Sequence, residues 1–502
     1  MVTAKVYSAA LVGFDGRLIE IECDTTNGLP GIVIVGLGSK AIDESKERMR
    51  SSIKNSNLVL PRKRITLNLA PADLPKDGAC YDLPMAIAVL AAGEQIKKSF
   101  LQDSLFVGEL SLDGSLRPIR GVITHAEVAK QHGFKRIFVP AQNGGQATLV
   151  EGIEIIAVRS LDQLCKILNQ ENKITSVSPV PLSSVVTSRE SVDFSDIYGQ
   201  NQAKRALEIA VAGNHNILLS GPPGAGKTMM ARALLSILPP PSQEEIIAIT
   251  KLHSLGGELT DEIHAHRPFR APHHTSSSVA LIGGGRSPKP GEISLAHKGI
   301  LFLDEFPEYT RVCLESLRQP LEDKIVTIAR AQDTVTYPAD FMLVATQNPC
   351  PCGYYMDPDH QCTCTASQIQ QYSKKISGPL LDRIDLVISV QKVAHKHLLS
   401  VNNQPLQSKE ILQRVLVARS VQGQRFSSPS TTNSHMTNRQ ISEKAHLTDS
   451  AKQFLEQAAA KLSLSARSYM KVIKVARTIA DLDQSKETTV SHITEALQYR
   501  PR

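Results

Sequence analysis

The sequence has no tryptophan, and its ten tyrosines and twelve phenylalanines amount to 4 % of 502 residues. A platform that stacks single-stranded bases on aromatic rings is therefore not written plainly in it. No apolar run reaches eighteen residues, which excludes a membrane-spanning helix. The first residues, Met1-Val2-Thr3-Ala4-Lys5, lack the charged-then-apolar build of a secretory signal. The expectation is a soluble cytoplasmic protein without a membrane partner. Cysteine is scarce: eight residues, four of them in one short stretch. That clustering argues for a metal rather than for disulfides in a reducing compartment. Net charge is modest at +7, but residues 396–502 hold sixteen Lys/Arg against eight Asp/Glu, so this segment carries +8 and the rest about −1. A basic C-terminal module points to phosphates, of nucleotide or nucleic acid, with a solvated basic face as the plainer reading.

What is present is organised around Gly221-Pro222-Pro223-Gly224-Ala225-Gly226-Lys227-Thr228. The run Asn216–Ser220 before it reads as a buried strand, and Thr228–Leu238 after it is apolar at helical spacing until Pro239-Pro240-Pro241. A glycine-rich turn between strand and helix aims backbone N–H groups at a phosphate, and the helix N-terminus adds positive potential. Lys227 then reaches the β- and γ-phosphates of ATP, and the Thr228 hydroxyl ligates Mg²⁺. Ile300-Leu301-Phe302-Leu303 ends in Asp304-Glu305. Asp304 is the expected second Mg²⁺ ligand, and Glu305 the residue that orients and activates the attacking water. A nucleoside triphosphatase is the first conclusion.

The length allows two to four domains. Residues 1–172 alternate strand-like and helix-like segments: strands at Gly31–Gly36, Arg64–Leu69, Leu105–Leu110 and Ile137–Pro140, helices at Ala41–Ser56 and Leu83–Ala92. Pro75–Cys80, Val107–Gly114 and Arg117–Gly121 resemble the proteolytic domain of Lon proteases, in the ribosomal-protein-S5-like fold. By that resemblance Cys80 stands at the nucleophile's place and Ile123 at that of the activating lysine. Isoleucine supplies neither base nor cation, so the domain is expected to be proteolytically inactive. Residues 173–192, rich in Ser, Val, Pro and Thr, read as a linker.

Residues 193–395 resemble an AAA+ core. Phe341–Asn348 reads as a strand ending in the sensor-1 residue, with Asn348 placed to hold the lytic water. Gly378–Leu386 resembles the segment bearing an arginine finger, so Arg383 would reach a neighbour's γ-phosphate; Arg467 stands where a sensor-2 arginine is expected. A surface salt bridge is the other reading of each arginine. Arg267–Thr275 with Leu281–Arg286, and Leu321–Arg330 with a turn near Gln332-Asp333, resemble the helix-2 insert and pre-sensor-1 hairpin of the magnesium-chelatase and MCM branch. In that branch such loops point into the ring's pore, which makes Arg286, Lys289, Lys324 and Arg330 candidates to touch a polyanion such as DNA there; a purely structural hairpin with solvated basic tips is the other reading of each. His264, His266, His273 and His274 have the wrong spacing for a metal site, and phosphate or backbone contacts suit them better.

Cys350-Pro351-Cys352 and Cys362-Thr363-Cys364 place four thiolates within residues 350–364. Four sulfurs close a tetrahedral structural Zn²⁺ site; an iron–sulfur cluster is the second reading. Residues 396–502 read as a basic helical lid: a loop over Val421–Gln440, then helices at Ser450–Leu462, Ser465–Leu482 and Val490–Gln498, with Arg467, Lys471, Lys474 and Arg477 on one basic face.

The fold class is thus α/β: an S5/Lon-protease-like α+β domain, a central AAA+ P-loop α/β domain and a C-terminal helical lid. This combination is similar to the ComM/YifB family over essentially the whole chain. The resemblance implies an ATP-driven homo-hexameric DNA helicase that promotes branch migration on single-stranded and branched DNA during integration of transforming DNA, with recombinase–DNA intermediates as partners. The alternatives are a metal-chelatase motor subunit and a protein-remodelling AAA+ ATPase.

Overall fold

The computed structural model describes residues 4–36, 40–74, 76, 78–181, 192–257, 263–285, 288–329, 334–355, 357, 359–392 and 407–501. Arg286, Arg330, the Gln332-Asp333 turn and the linker's 182–191 lie outside the described residues.

The N-terminal unit is a sheet with helices against it. Its elements are β1 (Ala4–Val12), β2 (Asp15–Thr26), β3 (Gly31–Val35), α1 (Lys40–Asn55), β4 (Arg64–Ala70), α2 (Asp82–Ala92), β5 (Ser104–Phe106), β6 (Glu109–Leu110), β7 (Leu116–Arg117), α3 (Val122–Gln131), β8 (Arg136–Pro140), β9 (Glu154–Val158) and α4 (Leu161–Leu168). Among the described residues the order is β3-β4-β2-β1-β5-β8-β9, antiparallel at β1–β2 and β2–β4 and parallel elsewhere. In β4, Ile65, Leu67 and Leu69 point inward at the two-residue period of a strand. All of α2 is buried, so it reads as continuously apolar; its Asp82 is neutralised by Arg48 at 2.7 Å.

The strand expected over Leu105–Leu110 divides in two. Gly108 turns the chain there: its N–H donates to Cys80 O at 3.0 Å, and a Cβ would meet Leu116 Cδ2 at 2.5 Å. The expected linker is not all free tether either. Val177 N–H donates to Ile155 O at 2.9 Å, and Val177 and Val180 pack on the domain's core.

The central unit holds α5 (Asn201–Gly213), β10 (Ile217–Ser220), α6 (Lys227–Ile237), α7 (Gln243–Gly256), β11 (Phe269–Arg270), the hairpin β12 (Gly283–Gly284) and β13 (Lys289–Pro290), β14 (Ile300–Leu303), the hairpin β15 (Ile325–Ala329) and β16 (Thr334–Pro338), β17 (Met342–Gln347) and β18 (Leu386–Ser389). Its sheet runs β11-β14-β17-β10-β18, all parallel. β10 lies between strands that both follow it in sequence, so a crevice opens at its C-terminal end, where ligands of open parallel sheets bind.

The lid contains α8 (Ser408–Phe426), α9 (Asn438–Lys444), α10 (Asp449–Leu462), α11 (Ala466–Leu482) and α12 (Val490–Gln498). Here the expected loop over Val421–Gln440 is corrected: α8 runs to Phe426, and α9 begins two residues before Gln440. Ile411, Val415, Ala418 and Gln422 form one buried stripe. The Gln422 amide is used up, donating to Ala212 O and accepting from Asn433 N–H, which caps a carbonyl at the end of α5.

The basic face of α11 is corrected as well. Lys471 is buried and donates to Ile384 O at 2.7 Å; Lys474 donates to Ser434 O at 2.9 Å. Arg477 is 1 % exposed, pairs with Asp481 and binds the Ser485 and Lys486 carbonyls. Three of the four cations tie the lid to itself and to the core, and only Arg467 stays accessible.

The N-terminal unit sits on α7. Lys251 Nζ meets Glu127 at 2.5 Å and lies 4.0 Å over the Phe14 ring; Ser254 Oγ accepts from Gly121 N–H at 2.9 Å. Ile246, Ile263 and Ala265 share a core with α3.

Candidate active site

The loop 221–228 runs from the end of β10 into α6, as its sequence requires, with Gly224 and Gly226 at φ +77° and +84°. These are left-handed conformations in which glycine is unstrained. Lys227 Nζ donates to Gly221 O at 2.6 Å, Pro222 O at 3.0 Å and Asn348 Oδ1 at 3.1 Å. Burial lowers its pKa against the opposing pull of Asp304 and Glu305. Asn348, at the end of β17, and Lys227 are thus joined directly.

Thr228 Oγ1 donates to Asp304 Oδ2 at 3.2 Å. Adjacent ligands of an octahedral Mg²⁺ stand about 3 Å apart, so this hydroxyl–carboxylate pair fits that ion. Thr346 donates its hydroxyl to Asp304 Oδ1 and accepts from Glu305 N–H at 3.1 Å. The sequence reading passed over Thr346, an ordinary strand residue until β14 and β17 are seen to be neighbours. Glu305 is held at φ +52°, an uncommon conformation for a residue with a Cβ. His274 Nδ1 stands 3.6 Å from its Oε2. These two residues, with Asn348, Tyr372 and Lys375, border a cavity of about 600 Å³.

The Arg267–Thr275 segment explains how His274 gets there. Arg267 donates to Pro239 O and Lys298 O, both at 2.6 Å, and to Glu245 at 2.7 Å. Arg270 holds Glu292 through two bonds of 2.7 Å, and Tyr309 OH donates to Pro272 O at 2.6 Å. His264 stacks on His253 and His273 bonds Thr275. Among the described residues only the four cysteines gather as a metal-type cluster.

Arg383 and Arg467 lie elsewhere. Arg383 precedes the N-terminal end of β18, and its carbonyl accepts from the Asn216 side chain just before β10. The P-loop leaves the other end of that parallel pair. Arg383 is therefore at the opposite end of the strands from its own P-loop. Arg467 is with it: Glu322 takes Arg383 Nη2 on one carboxylate oxygen and lies 3.6 Å from Arg467 Nη2 through the other. Arg467, expected at the sensor-2 place, thus stands beside Arg383 and away from its own P-loop.

Of the candidates for DNA contact, Lys289 is half-buried in the β12–β13 hairpin, where burial and Arg120 lower its pKa. Lys324 stands at the base of the β15–β16 hairpin rather than its tip, 3.6 Å from Asp340. It helps Lys298 and His435 hold that carboxylate below the usual range despite burial.

Cys350, Cys352, Cys362 and Cys364 bring their sulfurs within 4.8 Å of one another, with 3.3, 3.7 and 3.6 Å between the first three. Sulfurs around a tetrahedral Zn²⁺ lie about 3.8 Å apart, so the set fits the ion with no position left open. The Tyr354 and Thr363 N–H groups draw the Cys352 thiol down to about 5. In the N-terminal unit, Ile123 is fully buried in the core against which Cys80 packs.

Residues 193–398 match the family described as magnesium chelatase, subunit ChlI; residues 21–143 match subunit ChlI of Mg-chelatase, and 405–500 the ChlI C-terminal family. The chain is 42 % identical to competence protein ComM of Haemophilus influenzae, covering 100 % of this chain and 98 % of that protein. It is 41 % identical to the uncharacterised protein YifB of Escherichia coli, over 99 % and 96 % of the two chains. Lon protease 2 of Bacillus subtilis is 31 % identical over 172 residues, 30 % of each chain.

Proposed function

Since the chain belongs to the ComM/YifB family of magnesium-chelatase-type AAA+ proteins, we propose that it is an ATP-driven, homo-hexameric DNA translocase that promotes branch migration as transforming DNA is integrated. One observation carries the ring. The P-loop and Arg383 lie at opposite ends of the adjacent parallel strands β10 and β18, so a site that needs both takes the arginine from a neighbouring copy, and closure of that head-to-tail contact makes a ring. The direction toward DNA comes from the competence relative and from hairpins of the pore-loop kind.

In this reading the 221–228 amides and Lys227 cradle the triphosphate, while Thr228 and Asp304 hold Mg²⁺. The ion, when bound, neutralises charge on the β- and γ-oxygens. Glu305 takes a proton from water held with Asn348, and His274 and Thr346 fix the carboxylate's approach. The neighbour's Arg383, with Arg467 beside it, leaves Glu322 to meet charge developing on the γ-phosphoryl group. Arg286, Lys289, Lys324 and Arg330 are the candidates for contact with DNA. Zn²⁺ on the four cysteines is structural, and the N-terminal unit binds rather than cleaves.

Incubation with a labelled three-strand joint, ATP and Mg²⁺ tests the function: the account expects strand transfer that requires hydrolysis and weakens with salt. Absence of any action on three-strand, fork or four-way DNA would contradict it and favour a chelatase motor or a protein-remodelling ATPase. For the N-terminal unit, the expected result is no cleavage of an unfolded polypeptide. Cleavage lost in Cys80→Ala would contradict that.

A further inference from the structure

The cysteine knuckle and the P-loop touch. Gly353, in the tight turn after Cys352, has φ +86°, and a Cβ there would lie 2.7 Å from Pro223 Cδ. The turn is seated on the loop that would hold the triphosphate. From it the chain passes along a cavity of about 1260 Å³. One side of that cavity is the P-loop with Met229 and Met230, and another is the segment 196–200. The side facing them is Tyr355, Asp357, Asp359 and His360, all between the second and third cysteines.

This wall is fastened at both ends. At the cysteine end, Cys350 Sγ accepts from Tyr355 N–H at 3.3 Å. At the other, Lys392, just beyond β18, donates to Asp357 Oδ2 at 2.7 Å and meets His360 Nδ1 at 3.2 Å. The His360 ring stacks on Tyr354 with centroids 4.8 Å apart, and Lys392 Nζ lies 5.4 Å over the same tyrosine ring. A segment of so few residues has no hydrophobic core of its own; what orders it is the four sulfurs and this lysine.

We infer that the knuckle is the wall of the nucleotide's base and ribose pocket, and that a thiolate-bound metal sets nucleotide affinity by holding the wall in place. The inference rests on the reading of residues 221–228 as a nucleoside triphosphate site and extends it: the ligand is a ribonucleotide whose base faces Tyr355 and His360. A wall ordered in advance spares binding the cost of ordering it, so loss of the metal weakens binding before chemistry begins.

The test is titration of full-length protein with a fluorescent methylanthraniloyl-ADP, which measures binding without turnover. Four samples are compared: zinc-loaded wild type, chelator-stripped wild type, Cys362→Ser/Cys364→Ser, and Lys392→Met, which leaves cysteines and P-loop intact. Zinc content and far-UV circular dichroism are measured on each. The expected result is a Kd raised about tenfold in the stripped protein and the cysteine variant, recovered on zinc addition only in the former. Lys392→Met should raise Kd with zinc still bound. Equal Kd values in all four would overturn the inference alone. No binding by the zinc-loaded wild type would overturn the nucleotide reading and the inference together.

Discussion

At the scale of single residues, the site is a set of short polar links that leave few ways to arrange its acids. Thr346 is the hinge of that set, since one hydroxyl serves both Asp304 and the Glu305 N–H. Thr346→Val keeps the shape and removes both bonds. It should lower ATPase kcat by about tenfold, roughly 1.4 kcal/mol of barrier, with nucleotide Kd little changed; steady-state kinetics beside a binding titration checks this. A second residue gives a pH dependence. His125 in α3 is fully buried, with no hydrogen-bond partner for its ring nitrogens among the described residues, and burial lowers its pKa from 6.5 to about 4. The folded state thus refuses a proton that the unfolded chain accepts. The associated stability is complete above about pH 6.5 and is lost as pH falls toward 4, about 2 kcal/mol of it by pH 5. His125→Leu should flatten this part of the acid limb of urea-denaturation stability. His297, also lowered to about 4 by burial, preserves the rest.

At the scale of elements, the sequence was most legible where one residue type had one job. The 221–228 loop, the β14 strand ending in Asp304-Glu305 and the four cysteines all lie in the local structures their spacing demanded. β1 and β2 were not read, although Ile19, Ile21 and Cys23 alternate with outward residues in β2; Glu20, Glu22 and Asp24 between them hid the strand. The lid misled in a different way. Polar Val421–Gln440 looked like a loop because nothing local shows that Gln422 will be buried against α5. Nor does spacing show that Lys471, Lys474 and Arg477 spend their charges on carbonyls and Asp481. Periodicity reports which residues share a face, but not whether water or another helix meets it. Gln422→Ala should strand the Ala212 carbonyl and the Asn433 N–H. The expected loss is about 2–4 kcal/mol, read as a lower denaturant midpoint.

At the scale of the whole molecule, the proposed ring has each chain present half of two sites. The P-loop leaves the C-terminal ends of the central strands, and Arg383 and Arg467, held on Glu322, lie toward the opposite strand ends. The sequence named both arginines but could not place them, because their distance from the P-loop follows from the direction of β18 beside β10. The measurement that tests the account most directly is the DNA-stimulated ATPase rate of wild type, of Lys227→Ala, of Arg383→Ala, and of an equimolar mixture of the two variants assembled together. The account expects a wild-type rate raised by single-stranded or branched DNA, near-zero rates for either variant alone, and recovery in the mixture to about a quarter of wild type, the share of interfaces pairing an intact Lys227 with an intact Arg383 in a randomly mixed ring. A wild-type rate indifferent to every DNA, or a mixture no more active than its parts, would contradict it.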